Sequence, residues 1–236
     1  MKKLLVALLV LAIAAAAGLY WLSRSLDGLI QHAIESYGSP MTQSQVRVAA
    51  VKISPSNGRG SISGLTVANP PGFKTPHALK VTQADVEVDL KTVTQDVVLV
   101  RRIAIQAPDV TYEKGDTLTN FDAIVSHIAQ SIESGSRSGE TKPGKRMIIE
   151  LLTVRDARVE VSAPFMQGRT VSLSLPDITL KDIGRATGGV TPAELGQVIA
   201  GALKSRLGAT SSFDRLLKPG SAAIDQWVPS AKGLFK

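Results

Sequence analysis

The sequence predicts an α+β protein: one N-terminal transmembrane helix, then a mostly antiparallel β-sheet packed with two or more amphipathic helices. The first observation is a run of 19 residues without charge, Leu4 to Leu22. The second is period-two alternation in many short segments from Val46 onward, the pattern of half-buried strands. The third is a pair of apolar stripes at helical spacing, after Thr119 and after Thr191. Composition agrees: 44% of the 236 residues are hydrophobic and 20% charged, which is enough apolar side chain for a sizeable core. Aromatics are only 4%, so Val, Ile, Leu and Ala must fill it. There is no Cys, so disulfides, thiolate nucleophiles and Cys-ligated metals are excluded.

As a helix, Leu4 to Leu22 would span about 28 Å, close to the hydrocarbon thickness of a bilayer. Tyr20 and Trp21 close the run with rings suited to the interface, Arg24 follows, and Lys2 and Lys3 precede it. That charge placement keeps the N-terminus cytoplasmic. The competing reading is a cleaved signal peptide, with Ala14 to Ala17 as the small residues. The run continues past them, which favours an uncleaved signal-anchor. Residues 1–24 are thus the cytoplasmic tip and anchor. Residues 25–40 form an amphipathic stalk helix in which Leu26, Leu29, Ile30, Ala33, Ile34 and Tyr37 share a stripe. This stripe is expected to pack onto the following domain; the alternative is a helix lying on a lipid surface.

Residues 41–210 form the main domain. Val46 and Val48 alternate with Arg47, and Val51 and Ile53 with Lys52. The phase slips by one at Ala49-Ala50, which predicts a bulge or bend. A turn at Gly58 to Gly60 leads to a strand up to Val67, and Asn69-Pro70-Pro71-Gly72 ends regular structure. Ala84 to Leu90 is the clearest strand, with Val86, Val88 and Leu90 against Asp85, Glu87 and Asp89. Val97 to Val100, Ile103 to Ile105 and Val110 to Glu113 are further strands, broken at Pro108. Thr119 with Asp122 reads as a capping box opening a helix through Ile132. Residues 134–145 are a polar Gly/Ser linker. The second half repeats the plan. Arg146 to Val154, Ala157 to Val161, Val171 to Leu175 and Ile178 to Leu180 are extended, and Thr191-Pro192-Ala193-Glu194 opens a last helix. Residues 211–236 are a helical tail with Phe213, Trp227 and Phe235.

The search for chemistry returns no catalytic, cofactor or metal site, and the expectation is a protein that is not an enzyme. His32, His77 and His127 lie apart with no ligand spacing. Gly139 to Lys145, GETKPGK, resembles a phosphate-binding loop, but Arg146 stands where Ser or Thr must hold Mg²⁺. Net charge is +7, yet the basic residues are scattered along the chain and few aromatics are present to stack bases. Nucleic acid is therefore not an expected partner, whereas anionic lipid headgroups suit a mild basic excess.

The stretch Gly60 to Val81, GSISGLTVANPPGFKTPHALKV, resembles the opening β-segment of AsmA-like bacterial envelope proteins. The likeness continues through VEVDLKTV, IAIQAPDVTYEK and TNFDAI, and through the segment Leu151 to Gly184. The resemblance implies an inner-membrane anchor, a periplasmic domain and a curved sheet with an apolar concave face, as in larger relatives that move phospholipids along a β-groove. The eight or so strands read here stack to about 40 Å at ~4.8 Å each, short for crossing a periplasm. On this basis the leading expectation is a lipid-binding protein of envelope lipid homeostasis or transport. Its bilayer partner would be met through Lys2, Lys3, Tyr20, Trp21 and Arg24, and a phospholipid chain would lie against Val86, Val88, Leu90, Val171, Leu173 and Leu175. The alternative for that same face is a core filled by the helices. The alternative function is an envelope scaffold or outer-membrane assembly factor acting on a protein partner.

Overall fold

Residues 26–137, 145–166 and 169–208 are described by a computed structural model. Ten strands form one sheet, and their register resolves into six long ribbons. β1 (Val46–Arg47) and β2 (Ala50–Ser54) make the first, β3 (Arg59–Ala68) the second and β4 (His77–Val88) the third. β5 (Val97–Gln106) with β6 (Asp109–Glu113), β7 (Arg146–Arg155) with β8 (Arg158–Ser162), and β9 (Val171–Ser174) with β10 (Ile178–Ile183) make the others. Each ribbon pairs with the next along its whole length.

The breaks between strands lie on one line. Val48-Ala49 adjoins Gly64, and Gly64 adjoins Thr82, because Ser63 pairs with Gln83 and Leu65 with Val81. Thr82 adjoins Ala107-Pro108, which adjoins Asp156-Ala157, which adjoins residues 175–177. Ala107 and Asp156 take positive φ, 44° and 53°, at equivalent points of their ribbons. The result is a crease across the sheet. No ribbon gains a residue on its neighbour at this line: the pairing offset is the same on both sides, so all six ribbons bend and reset their alternation together. On β4 the resetting is visible in exposure: Val81 and Ala84 are both buried, while Thr82 and Gln83 between them are both exposed. The phase slip at Ala49-Ala50 is one end of this line.

Two features of the expected fold class are corrected. The sheet is mixed: β5 runs parallel to β7 and β6 parallel to β8, while the other pairings are antiparallel. The reason is the connection. β6 leads into α2 (Asn120–Arg137) before β7 begins, and a helical crossover returns the chain to the end from which it started. The second correction concerns the transmembrane signal-anchor and the membrane-protein class inferred from it. Among the described residues no helix is long and apolar enough to cross a membrane. Residues 4–22, with Lys2, Lys3, Tyr20, Trp21 and Arg24, lie outside the described residues, as does the tail 211–236.

Among the described residues three α-helices accompany the sheet. α1 covers residues 26–42. α2 and α3 (Pro192–Gly208) pack against each other and on one sheet face. Both begin in capping boxes. Thr119 Oγ1 donates to Asp122 at 2.7 Å and accepts from the Asp122 amide at 3.1 Å. The Thr191 amide donates to Glu194 at 2.7 Å, and the Glu194 amide to Thr191 Oγ1 at 3.2 Å. α2 runs beyond its apolar stripe to Arg137, so the start of the expected linker is helical. Lys204 on α3 pairs with Asp122 on α2 and ties the two helices together.

Candidate functional site

Residues directly opposite one another in a sheet share a face, so the register assigns the six candidate lipid-facing residues. Val86, Ile103, Leu152 and Leu180 form one cross-strand row; Leu79, Val110, Val159 and Leu173 form another on the far side of the crease. Both rows belong to a single apolar cluster that includes Phe121 of α2 and Ala200 and Leu203 of α3. Ile149, Leu152, Val159 and Val161 are fully buried there. Val86, Val88 and Leu173 pack against this cluster, Leu175 lies within it, and Val171 joins Ala163 and Met166 in a small neighbouring cluster. Leu90 alone of the six is exposed, at 41%. α2 and α3 pack over this face at β6 and β10, while Val86, Val88 and Leu173 are half-buried.

The most exposed large apolar side chains lie on α1. α1 runs beside the first ribbon, whose outer edge has no neighbouring strand among the described residues. Side chains of α1 spaced four apart take the place of one. Asp27 Oδ1 accepts from the Ile53 amide at 2.8 Å, and Glu35 Oε1 accepts from the Val48 amide at 2.8 Å. Gln31 Nε2 donates to the Val48 carbonyl at 2.8 Å, and Ser39 Oγ accepts from the Val46 amide at 3.0 Å. Four-residue spacing puts these groups on one face of the helix. Closing backbone groups this way removes the pairing hazard of a bare edge. The consequence is an inside-out helix. Its polar stripe faces the protein, while Leu29 (64% exposed), Ile30 (41%) and Tyr37 (73%) face outward. The stripe expected to pack onto the domain is, at these three residues, the one turned away from it. The polar stripe was visible in the sequence as the i, i+4 series Asp27, Gln31, Glu35, Ser39, but apolar residues ordinarily claim the buried side.

Where α1 meets the crease, an open groove of about 580 Å³ is lined by Glu35, Ser39, Arg47, Val48, Gly64 and Thr66. Its one carboxylate, Glu35, is already engaged by the Val48 amide, so the groove offers little to a small ligand. Gly64 takes φ +63°, and a Cβ there would stand 2.7 Å from that of Ala49; only glycine fits this point of the crease.

A buried polar network closes the lower end of the sheet. The Asn120 side chain is fully buried, donating to Asn69 Oδ1 (2.7 Å) and the Thr111 carbonyl (2.6 Å) and accepting from the amides of Glu113 (3.0 Å) and Phe121 (2.9 Å). The Glu113 carboxylate, also buried, accepts from the amides of Lys74 (2.7 Å) and Thr75 (2.8 Å) and from the Thr75 hydroxyl. These bonds pin the loop at residues 69–76 to the start of α2. Every partner is a group of the chain itself, and the network acts as a clasp on this loop.

The histidines do not come together. His32 is exposed on α1, and His127 Nδ1 lies 3.0 Å from the Thr42 carbonyl. His77 is buried with neither ring nitrogen hydrogen-bonded. Burial holds its pKa below 6.5, Lys80 adds to the lowering, and Asp109 and Glu160 oppose it. Among the described residues, no group of three His, Cys, Asp or Glu is placed to hold a metal ion. Residues 139–144 of the phosphate-loop-like segment lie outside the described residues, and the Lys145 ammonium rests on the Val93 carbonyl. No family model matches the chain, and no curated protein matches it.

Proposed function

We propose that this chain is a non-catalytic, lipid-associating protein of the bacterial envelope that meets lipid through the outward face of α1. The observation that carries the reading is the inside-out helix: Leu29, Ile30 and Tyr37 are exposed while the polar stripe is spent on the sheet edge. An amphipathic helix with an accessible apolar face buries it at a lipid interface, and Tyr is suited to headgroup depth. The likeness of Gly60 to Val81 to AsmA-like proteins points to the same compartment and ligand class. The reading rests on α1 rather than on the sheet face because Leu29, Ile30 and Tyr37 are exposed whereas Val86, Val88 and Leu173 are half-buried.

The chain has no native Cys, so a single Tyr37→Cys accepts an environment-sensitive dye at one known site. Phosphatidylcholine vesicles should shift its emission to the blue. The same dye at Lys91→Cys should stay unchanged, and adding Leu29→Glu and Ile30→Glu should abolish the Tyr37 shift. A Tyr37 label indifferent to vesicles overturns the reading. A shift that needs no lipid and grows with protein concentration replaces it with the scaffold alternative, in which α1 docks on a protein.

A further inference from the structure

We infer that the sheet face opposite the helices is a docking surface for anionic lipid headgroups, an inference that rests on the lipid-associating reading above. The register gathers onto this face cations that are far apart in sequence. The row Arg47, Thr66, Lys80, Asp109, Arg158 and Ser174 crosses all six ribbons just below the crease. The row above it runs through Gln83, Gln106 and Arg155 to Asp177, and the next begins at Lys52. Arg47, Lys52, Lys80, Arg155 and Arg158 are exposed, and none forms an ion pair among the described residues. With Arg59, Arg102 and Lys181, the face presents eight cations against five carboxylates, Asp85, Glu87, Asp109, Glu160 and Asp177. Three of those carboxylates are partly engaged: Asp85 accepts from Gln83 Nε2 at 2.9 Å, Glu87 lies 3.9 Å from Arg59, and Asp177 accepts from the Asp156 amide at 3.3 Å.

Five inter-strand spacings of ~4.8 Å set the ends of the first row about 24 Å apart. Guanidinium groups spread over such an area match a plane of phosphates, each able to take two donors from one arginine. The shape argues against nucleic acid. The face carries no aromatic side chain in these rows, so it lacks the stacking platform that single strands need. Among the described residues, α2 and α3 pack on the other face and α1 at the edge, so no α-helix is placed here to enter a duplex groove. A lipid headgroup layer demands neither.

The test uses the full chain with a dye at Gln83→Cys, an exposed site on the face, beside the Tyr37→Cys label. Vesicles of phosphatidylcholine containing phosphatidylglycerol should protect the Gln83 dye from an aqueous quencher. Pure phosphatidylcholine should not, and added salt should reverse the protection. Each of Arg47→Gln, Lys80→Gln, Arg155→Gln and Arg158→Gln should lower partitioning to the anionic vesicles about fivefold, the weight of one juxtamembrane cation. Unchanged circular dichroism checks that these surface variants fold. A Tyr37 response with an unprotected Gln83 dye, or partitioning indifferent to the four substitutions, overturns the inference and leaves the earlier reading standing. A silent Tyr37 label sinks the earlier reading instead. Protection of the Gln83 dye by duplex DNA or by RNA, equal to that by anionic vesicles, also overturns the inference.

Discussion

At the residue scale, Asn120 and His77 show opposite fates for a buried polar side chain. Asn120 satisfies four partners, so removing it strands several buried groups at once. Asn120→Ala should cost about 3 kcal/mol or more, read as a lower urea midpoint with an unchanged slope. A loss below about 1 kcal/mol would show that the clasp contributes little. His77 has no hydrogen-bonding partner for its ring nitrogens, and burial with Lys80 nearby lowers its pKa from 6.5. The unfolded chain therefore binds a proton at a pH where the folded chain does not. Stability is full above about 6.5 and declines as pH falls through that value toward the folded pKa. Denaturation from pH 7.5 down to 5 should show this decline, and His77→Phe should flatten it; identical slopes in both chains would remove His77 as the cause. Neither role could be read from the sequence. A lone His or Asn carries no periodic signal, and its burial is decided by residues such as Asn69 and Thr111 that are remote in the chain.

At the scale of elements, α1 and the crease carry the most testable consequences. Glu35→Ala leaves the Val48 amide of the edge ribbon without its acceptor. About 1–2 kcal/mol of destabilisation is expected, with faster aggregation on mild heating because the edge is partly bared. Gly64→Ala forces a Cβ into a positive-φ site and against Ala49, and should cost about 1–3 kcal/mol; wild-type melting in that variant would mean the crease relaxes freely. The elements themselves were largely legible. Thr119/Asp122 and Thr191/Glu194 announce both capped helices, and the phase slip at Ala49-Ala50 announces one end of the crease. The remainder of that line was hidden, since Thr82, Ala107 and Asp156 become neighbours only through pairing. The orientation of α1 was legible as amphipathicity but not as direction, because hydrogen bonding to an edge outranked apolar burial there.

At the scale of the whole molecule, one cluster runs from β6 and β8 across the crease to β7 and β10 and into both helices. Leu152 lies at its centre with no exposure, and Leu152→Ala should cost about 2–5 kcal/mol. Far-ultraviolet dichroism and hydrogen exchange at β5 and β8 should report that loss together; separate transitions would divide the sheet into independent halves. The charge distribution also exists only at this scale. Arg47, Lys80 and Arg158 look scattered along the chain, and pairing alone sets them in one row. Mixed topology was missed for a related reason: a strand–helix–strand segment does not reveal which ribbon its second strand joins. The sealing of the first ribbon by α1 has a last effect, on assembly. A β-sheet with two bare margins can recruit copies of itself without end, each newcomer offering the next one a template. Among the described residues one margin is already occupied by the chain's own helix, and the ribbon made by β9 and β10 forms the other. Backbone-to-backbone association through it would close on itself after two copies, so growth into a fibre is denied to the folded protein by its own N-terminal helix.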